Sequence, residues 1–327
     1  MAEYTGTFKR KEVKYRLTAQ QAAQMKRALA VYMAPDAYGQ TAITSRYYDT
    51  ARRDMISRSL EKPLYKEKLR LRTYGEQETE RIVFVELKKK HQGIVYKRRI
   101  AASEGAAQML MDGHPYETAL AMYPLANEEL RAEARSAQSF QTAAEISACV
   151  HRNGPLLASM DILVSRVAWA PLPDSRGKLA QGVRITFDED IRYRDLMDAN
   201  ATNQVPLLQS GEAIMEVKVP GAYPLWLVDA LNACRTFPTS FSKYGEAYLA
   251  CEGMRAPLAY RKQAELDVRQ AAATGLTQPT AQPGANEPAS DAARKGSSNN
   301  ADAQSGPATH GAHARRTINL PEIVASA

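Results

Sequence analysis

Residues 66–73 read Lys-Glu-Lys-Leu-Arg-Leu-Arg-Thr, and this stretch decides the fold. In a β-strand successive side chains point to opposite faces of the sheet, so the basic residues of the stretch share one face. That face carries Lys66, Lys68, Arg70 and Arg72, and the opposite face carries Glu67, Leu69 and Leu71. The alternation predicts a strand with one strongly basic face and one mostly apolar face.

Seven further segments are typical of strands, because they either alternate polar and apolar residues or contain consecutive β-branched and aromatic residues. They are 12–17, 42–49, 82–89, 94–100, 162–169, 183–188 and 213–219. Helices are predicted around them at 19–31, with Thr18 as N-cap, and at 103–112, 127–152, 224–234 and 243–254. In several strands the charged side chains again share a single face.

An open antiparallel sheet with its charged face in water would produce the same alternation. Here, however, the charged faces are dominated by Arg and Lys, and the amphipathic helices need apolar strand faces to cover. Helices on the apolar faces leave the charged faces pointing inward. The sequence therefore predicts an α+β fold, a closed eight-stranded antiparallel β-barrel that forms a tunnel and is sheathed by helices. A lumen of like charges needs a bound polyanion to balance it.

The charge is concentrated in one part of the chain. The 327 residues carry a formal net charge of +7, and residues 61–100 alone hold twelve Lys and Arg against six Glu. Such a surface attracts phosphate-bearing partners, including nucleotide, polyphosphate, nucleic acid or anionic lipid.

The composition changes near residue 271. Ala, Gly, Pro, Gln, Asn and Ser dominate from there, and no aromatic residue follows Tyr260. Such a segment buries too little apolar area to offset the entropy of ordering it. We expect one folded domain over 1–270 and a disordered low-complexity tail over 271–327.

The three cysteines, Cys149, Cys234 and Cys251, are far apart and lack any partner at metal-ligand spacing. They are typical of reduced thiols in a cytoplasmic protein. No apolar run is long enough to span a membrane, and the basic N-terminus lacks the apolar segment of a secretory signal. The sequence therefore predicts a cytoplasmic location, and it does not reveal the oligomeric state.

Eight motifs resemble a known family and occur in its order. They are Glu12-Val13-Lys14-Tyr15, Ser45-Arg46-Tyr47-Tyr48-Asp49-Thr50, Leu69-Arg70-Leu71-Arg72, Val85-Glu86-Leu87-Lys88-Lys89-Lys90, Tyr96-Lys97-Arg98-Arg99, Val183-Arg184-Ile185-Thr186-Phe187-Asp188, Met215-Glu216-Val217-Lys218 and Phe241-Ser242-Lys243-Tyr244-Gly245. Over about residues 8–255 the chain resembles the VTC (vacuolar transporter chaperone) domain. That domain is the polyphosphate polymerase branch of the triphosphate tunnel metalloenzymes, and the resemblance implies the eight-stranded tunnel fold.

The resemblance also implies site residues. It assigns phosphate binding inside the tunnel to Lys14, Arg70, Arg72, Lys88, Lys97, Arg166 and Lys243. Strand alternation adds Arg99, Arg184 and Lys218 on the same charged faces. Those expected to act in catalysis are Arg70, Arg72, Lys88, Lys97 and Lys243. The implied reaction is transfer of the γ-phosphate of ATP to a growing polyphosphate chain with release of ADP, without a nucleophilic side chain.

The same resemblance implies that Glu216 holds a divalent metal, Mn²⁺ or Mg²⁺. The hydrolase and cyclase branch opens with Glu-x-Glu-x-Lys, whereas this chain has Arg10 at the first of those positions, before Glu12 and Lys14. A single carboxylate there is expected to bind metal more weakly, which favours the polymerase branch.

Other sites are less well supported by the sequence. The five histidines lack metal spacing, and neither a P-loop nor a dinucleotide-binding glycine motif is present. Tyr47, Tyr48, Tyr96 and Tyr193 could stack on a base, although strand tyrosines are typically core residues. Two alternatives to the polymerase stay open: a hydrolase of triphosphate or short polyphosphate in the same tunnel, and a non-catalytic polyanion-binding protein. Nucleic acid is not an expected partner.

Overall fold

The computed structural model describes residues 11–75 and 82–253, and the predicted tail and its boundary lie outside them. Its ten described strands are β1 (Lys11–Leu17), β2 (Met33–Asp49), β3 (Tyr65–Tyr74), β4 (Ile82–His91), β5 (Ile94–Ser103), β6 (Leu157–Pro171), β7 (Arg184–Asp195), β8 (Val205–Pro206), β9 (Ala213–Val219) and β10 (Pro238–Thr239). All eight predicted strands are present among them, several longer than expected. The two additions, β8 and β10, have only two residues each, too few to leave a periodic pattern in the sequence.

Eight α-helices lie between the strands in the described part of the chain. They are α1 (Ala19–Leu29), α2 (Asp54–Leu60), α3 (Glu104–Met111), α4 (Tyr116–Met122), α5 (Glu128–Ala134), α6 (Ala137–Asn153), α7 (Leu225–Ala233) and α8 (Lys243–Cys251). Thr18 caps α1 as predicted, in a capping box with Gln21. The single helix predicted over 127–152 is wrong in one respect, because Ser136 caps a new helix, α6, after α5 has ended.

The strands form one antiparallel sheet in the order β10-β1-β9-β7-β6-β2-β3-β4-β5, with β8 beside β7. The predicted closed barrel is corrected on this point, since no hydrogen-bonded pairing within the described residues joins β5 to the opposite edge. At one edge, β10 has two residues and begins with Pro238, which has no N–H for a longer ladder. At the other edge, Ile94, Val95 and Tyr96 of the edge strand β5 are exposed.

Two apolar clusters hold helices against the outer side of the sheet. One packs Leu69, Leu87 and Ile100 of β3, β4 and β5 against α3, α4 and α6. The other packs Phe187 and Val217 of β7 and β9 against α1 and α7. Burial of these apolar faces is the main favourable term that holds the layers together, at about 25 cal/mol per Å². The predicted helical sheath on the apolar faces is therefore present.

A third cluster lies on the inner side of the sheet. There Ile56 of α2, Tyr244 of α8 and Phe241 just before α8 cover part of the concave face. They pack with Ile43 and Ile162 of β2 and β6. The rest of the inner face carries charge. Of the described helices, none is both long and apolar enough to cross a membrane.

Candidate functional site

The inner face of the curved sheet lines a cavity of about 480 Å³. Side chains from β1 to β6, β9 and α8 reach it, so strands from both halves of the sheet order contribute to one lumen. Among the described residues, twelve Lys and Arg side chains line the cavity, against three glutamates: Glu12, Glu67 and Glu216. This excess of positive charge gives the cavity the electrostatic character that favours a polyanionic ligand.

The strand β3 supplies the central row of cations. Arg70 and Arg72 line the cavity with Lys66 and Lys68, while Leu69 on the opposite face is fully buried among apolar groups. The register of β3 on β4 places Lys68 opposite Lys88 and Arg70 opposite Glu86. Burial, with the charges of Lys66 and Lys88 nearby, lowers the pKa of Lys68 to about 8. The row therefore holds closely spaced like charges, which favour an incoming anion.

Several of these cations surround the buried carboxylate of Glu86, a residue that is 1% exposed. Arg70 donates two hydrogen bonds to Glu86 Oε2, from Nε at 2.8 Å and from Nη2 at 2.6 Å. Lys97 Nζ lies 3.0 Å from Glu86 Oε1, and Arg72 Nη1 lies 3.8 Å from Oε2. Burial alone would raise the pKa of Glu86, but Arg70, Arg72 and Lys97 lower it to about 2. The surrounding cations therefore favour the ionised form of Glu86, which anchors them.

Asp188 of β7 is a second buried anchor, with no exposed surface. Arg166 of β6 donates two hydrogen bonds to its two carboxylate oxygens, at 2.6 and 2.8 Å, and Lys243 donates a third. Burial would raise the pKa of Asp188, but Lys243 and Arg166 hold it well below its usual range. Lys243 itself is the first residue of α8, which Ser242 caps. The helix start and the sheet are thus tied together at the cavity.

Glu216 of β9 lies in the cavity and is 8% exposed. It is paired with Lys14 across β1, and Lys218 Nζ lies 3.0 Å from Glu216 Oε1. Burial would raise its pKa, but Lys218 and Lys14 lower it to about 2. Met215 and Val217 point to the opposite, fully buried face, as the alternation predicts. Glu216 is therefore an ionised carboxylate at the cavity wall.

One part of the cavity wall carries lysines from the start of β3 and the end of β4. Lys66 lies opposite Lys90 in the strand register, and Lys62 lines the same part of the wall. Burial and the charges of these two neighbours lower the pKa of Lys66. The nearby Glu67 binds Arg152 and Asn153 of α6 instead, at 2.9 and 2.8 Å. This part of the cavity is consequently more purely cationic than the part around Glu86 and Glu216.

Eight of the ten basic residues named from the sequence line this one cavity, together with Glu216: Lys14, Arg70, Arg72, Lys88, Lys97, Arg166, Lys218 and Lys243. The other two are placed elsewhere. Arg184 is the first residue of β7, more than half exposed, and binds Asp36 Oδ2 at 3.1 Å. Arg99 lies over the ring of Phe84, 3.5 Å from its centroid, at the edge of the Glu86 cluster.

Tyr47 of β2 also lines the cavity, and sequence reasoning treated it as a typical core residue. Its hydroxyl accepts a hydrogen bond from Arg70 Nη1 at 2.9 Å, and its ring stacks on Tyr244 with centroids 4.4 Å apart. Burial would raise the pKa of Tyr47, but Arg70, Lys68 and Arg72 lower it to about 7. Tyr47 therefore adds a phenol that can exchange a proton near neutral pH.

Glu86 and Asp188 are two anchors of the site that were not among the site residues expected from the sequence. For Glu86 a signal was available, because Glu86-Leu87-Lys88 repeats the Glu-x-Lys spacing of Glu216 and Lys218 and puts both charges on one face. For Asp188 the only signal in the sequence was its position on the charged face of β7, which was expected to face inward. The strand register that makes both into anchors is a tertiary feature.

The donor groups fit a divalent cation that binds together with its substrate. Within the described residues, no three His, Cys, Asp or Glu side chains cluster as a metal site. Mg²⁺ is commonly held by one or two carboxylates plus substrate phosphate oxygens, rather than by a cage of protein ligands. Glu216, with Glu12 nearby on β1, provides carboxylates of that kind.

Three comparisons place the chain among known proteins. A family model described as the VTC domain matches residues 9–251. No curated protein matches the chain. A solved structure, that of a candidate adenylate cyclase from Vibrio parahaemolyticus, aligns with a TM-score of 0.37 at 11% identity, covering 75% of this chain and 99% of that one. The match of the family model spans most of the chain and includes every described strand, so the chain belongs to the VTC-domain family.

Proposed function

We propose that the chain is a metal-dependent polyphosphate polymerase that transfers the γ-phosphate of ATP to the end of an inorganic polyphosphate chain and releases ADP. The observation that carries the proposal is the cavity itself, with twelve described Lys and Arg side chains and few opposing carboxylates. A triphosphate carries about four negative charges, and Arg forks and Lys ammonium groups match its oxygens.

Phosphoryl transfer suits this wall because it needs positioning and charge stabilisation more than a nucleophilic side chain. A terminal phosphate oxygen of the growing chain attacks the γ-phosphorus of ATP. The bond from that phosphorus to the β,γ-bridging oxygen breaks, and ADP leaves with the electron pair. Arg70 and Arg72 are held by Glu86, and Arg166 and Lys243 by Asp188, so their donors are fixed before substrate arrives.

Glu216 and phosphate oxygens would hold the metal, Mn²⁺ or Mg²⁺, which supplies positive charge at the transferred phosphoryl group when bound. Lys88 and Lys97 contribute further charge on the β4 and β5 side of the cavity. We infer a cytoplasmic location from the three unpaired cysteines.

A hydrolase in the same cavity is the second candidate, and Tyr47 favours it. A tyrosine whose pKa is about 7 is partly ionised at neutral pH, and its phenolate can accept a proton from an attacking water, a step that polymerisation does not need. A non-catalytic polyanion-binding protein is the third. Incubation with ATP and Mn²⁺ separates them: ADP release without matching orthophosphate supports the polymerase, ADP with an equal amount of orthophosphate supports the hydrolase, and no turnover supports a binding protein.

A further inference from the structure

Lys218 lies between two carboxylates at the place where a metal would be held. Its Nζ is 3.0 Å from Glu216 Oε1 and 3.9 Å from Glu12 Oε2. The arrangement follows from the backbone, because Lys218 and Glu216 are two residues apart on β9 and Glu12 is paired directly with Lys218 across β1. All three side chains therefore share the inner face of the sheet.

An ammonium group and a divalent cation compete for this place. A metal bound to both carboxylates would occupy the space near the Lys218 ammonium. Two cations at such a short distance repel each other strongly. Without either cation, the two glutamates would depend on the other positive charges of the cavity wall, those of Lys14 and Arg166 near Glu216 and of Lys88 near Glu12. The ammonium of Lys218 thus serves the resting site as a built-in counter-ion.

The side chain of Lys218 is able to leave this position. Its side chain is 36% exposed and that of Glu12 is 37% exposed, so neither is locked in by packing. Lysine carries its charge on a flexible four-carbon stem, and phosphate oxygens offer it an alternative partner. An arriving phosphate chain can therefore draw the ammonium away from the two carboxylates.

We propose that Lys218 stands in for the divalent cation between Glu12 and Glu216 and keeps the metal out of the empty cavity until a phosphate chain binds. Metal and phosphate then enter together, and Lys218 exchanges its carboxylate contacts for phosphate contacts. The inference rests on the proposed function in assuming a metal-bound phosphate substrate. It concerns the order of binding, however, and not turnover.

The test measures Mn²⁺ binding to the full chain without phosphate, from loss of the free-ion signal in electron paramagnetic resonance. Wild type should show no saturable binding below about millimolar Mn²⁺. The variant Lys218→Met should bind Mn²⁺ about tenfold more tightly or better, because a nearby positive charge has been removed from a site with two carboxylates. Combining it with Glu12→Gln should abolish most of that gain.

The matched control is Lys97→Met, which removes another cavity lysine whose Nζ also lies 3.0 Å from a carboxylate, that of Glu86. An equal gain in Mn²⁺ affinity for this control would mean that bulk charge is responsible, and it would overturn the proposal. Tight Mn²⁺ binding to wild type alone would overturn it too, even if Lys218→Met failed to fold. The two proposals can fail separately. If the protein did not turn over ATP but Lys218→Met still gained Mn²⁺ binding, the proposed function would be wrong and this inference would stand.

Discussion

Arg70 and Glu86 face each other across β3 and β4, and the guanidinium donates from two nitrogens to one carboxylate oxygen, at 2.6 and 2.8 Å. The remaining Nη1 donates to the hydroxyl of Tyr47. Since every nitrogen of the guanidinium has a partner, Arg70 is held in one orientation at the cavity wall. Because the Arg70–Glu86 pair joins β3 to β4 and also lies at the charged cavity, a change in the charge of the pair should change the stability of the sheet.

Replacing Glu86 by Gln should destabilise the fold and make it depend on an anion. The change leaves Arg70, Arg72 and Lys97 without their shared counter-charge, and breaking a buried pair of this kind costs about 3 kcal/mol. Urea unfolding would measure the loss. Tripolyphosphate should then stabilise Glu86→Gln more than wild type, because the polyanion replaces the missing charge.

Glu145→Gln is the matched control for that experiment. Glu145 also binds two cations, Lys89 at 2.7 Å and Arg98 at 3.0 Å, but it does so between α6 and the outer side of the sheet. Tripolyphosphate should stabilise this variant no more than wild type. Equal stabilisation of both Gln variants would show that Glu86 has no special link to the anion site.

Arg72→Ala should weaken the binding of tripolyphosphate by about 1.5–3 kcal/mol, the scale of a hydrogen bond to a charged group. Arg184→Ala removes the same side chain from the exposed start of β7, where Arg184 binds Asp36. Isothermal titration calorimetry of both variants compares them directly. Similar losses at the two positions would indicate that net charge, and not the cavity, binds the anion.

The binding of tripolyphosphate should weaken as the pH rises above about 7. Tyr47 has its pKa lowered to about 7 by the neighbouring cations, so above that pH its phenolate repels phosphate. Lys68, whose pKa is about 8, loses its charge next and weakens binding further. In Tyr47→Phe only the loss of charge at Lys68 remains, so the decline with pH should be shallower, and an unchanged pH profile would exclude ionisation of Tyr47.

The lowered pKa of Tyr47 also makes the stability of the fold depend on pH. The folded-state pKa of Tyr47 lies below the unfolded value of about 10, so the phenolate stabilises the fold fully only above pH 10. That contribution is lost as the pH falls through about 7. The difference in unfolding free energy between wild type and Tyr47→Phe should therefore grow from pH 7 to 10. A constant difference over that range would count against the shifted pKa.

Deleting residues 271–327 should leave folding and ATP turnover nearly intact. The expectation comes from the polar, Pro- and Gly-rich composition and the lack of aromatic residues there. Thermal unfolding of the truncated chain is the measurement. An insoluble product, or one melting many degrees lower than the full chain, would contradict the boundary.

Glu216→Gln should lose nearly all activity while keeping the melting temperature close to wild type, with partial rescue by higher Mn²⁺. Glu216 lies at the cavity wall, and its neighbours Met215 and Val217 supply the apolar packing on the other face. Both the melting temperature and the ATP-to-ADP rate should come from one preparation. A less stable variant with near-normal turnover would make Glu216 a structural partner of Lys218 only.

Alternation was a reliable guide to strand faces. It placed Arg70 and Arg72 on the cavity side and Leu69 in the core, because a period of two is imposed by the strand backbone itself. It could not show how far a strand extends beyond the cavity. Arg184 is therefore on the expected face of β7 but at its exposed end.

Features that depend on distant groups left no local signal. The helix α2 was missed because Arg53 enters it with a φ of 58° and provides no side-chain cap. The N–H group of Asp54 donates instead to Thr50 Oγ1, and those of Met55 and Ile56 donate to Asp49 at the end of β2. The open edges of the sheet were missed for a similar reason, since alternation is the same in open and closed sheets.

The most direct test of the proposed activity is incubation of the purified full chain with Mn²⁺ and ATP labelled in the γ-phosphate, with products resolved by chain length. The account predicts a ladder of labelled polyphosphate chains and one ADP for each phosphate added, and no ladder with Glu216→Gln. Label that appears only as orthophosphate, or that stays in ATP, would contradict it.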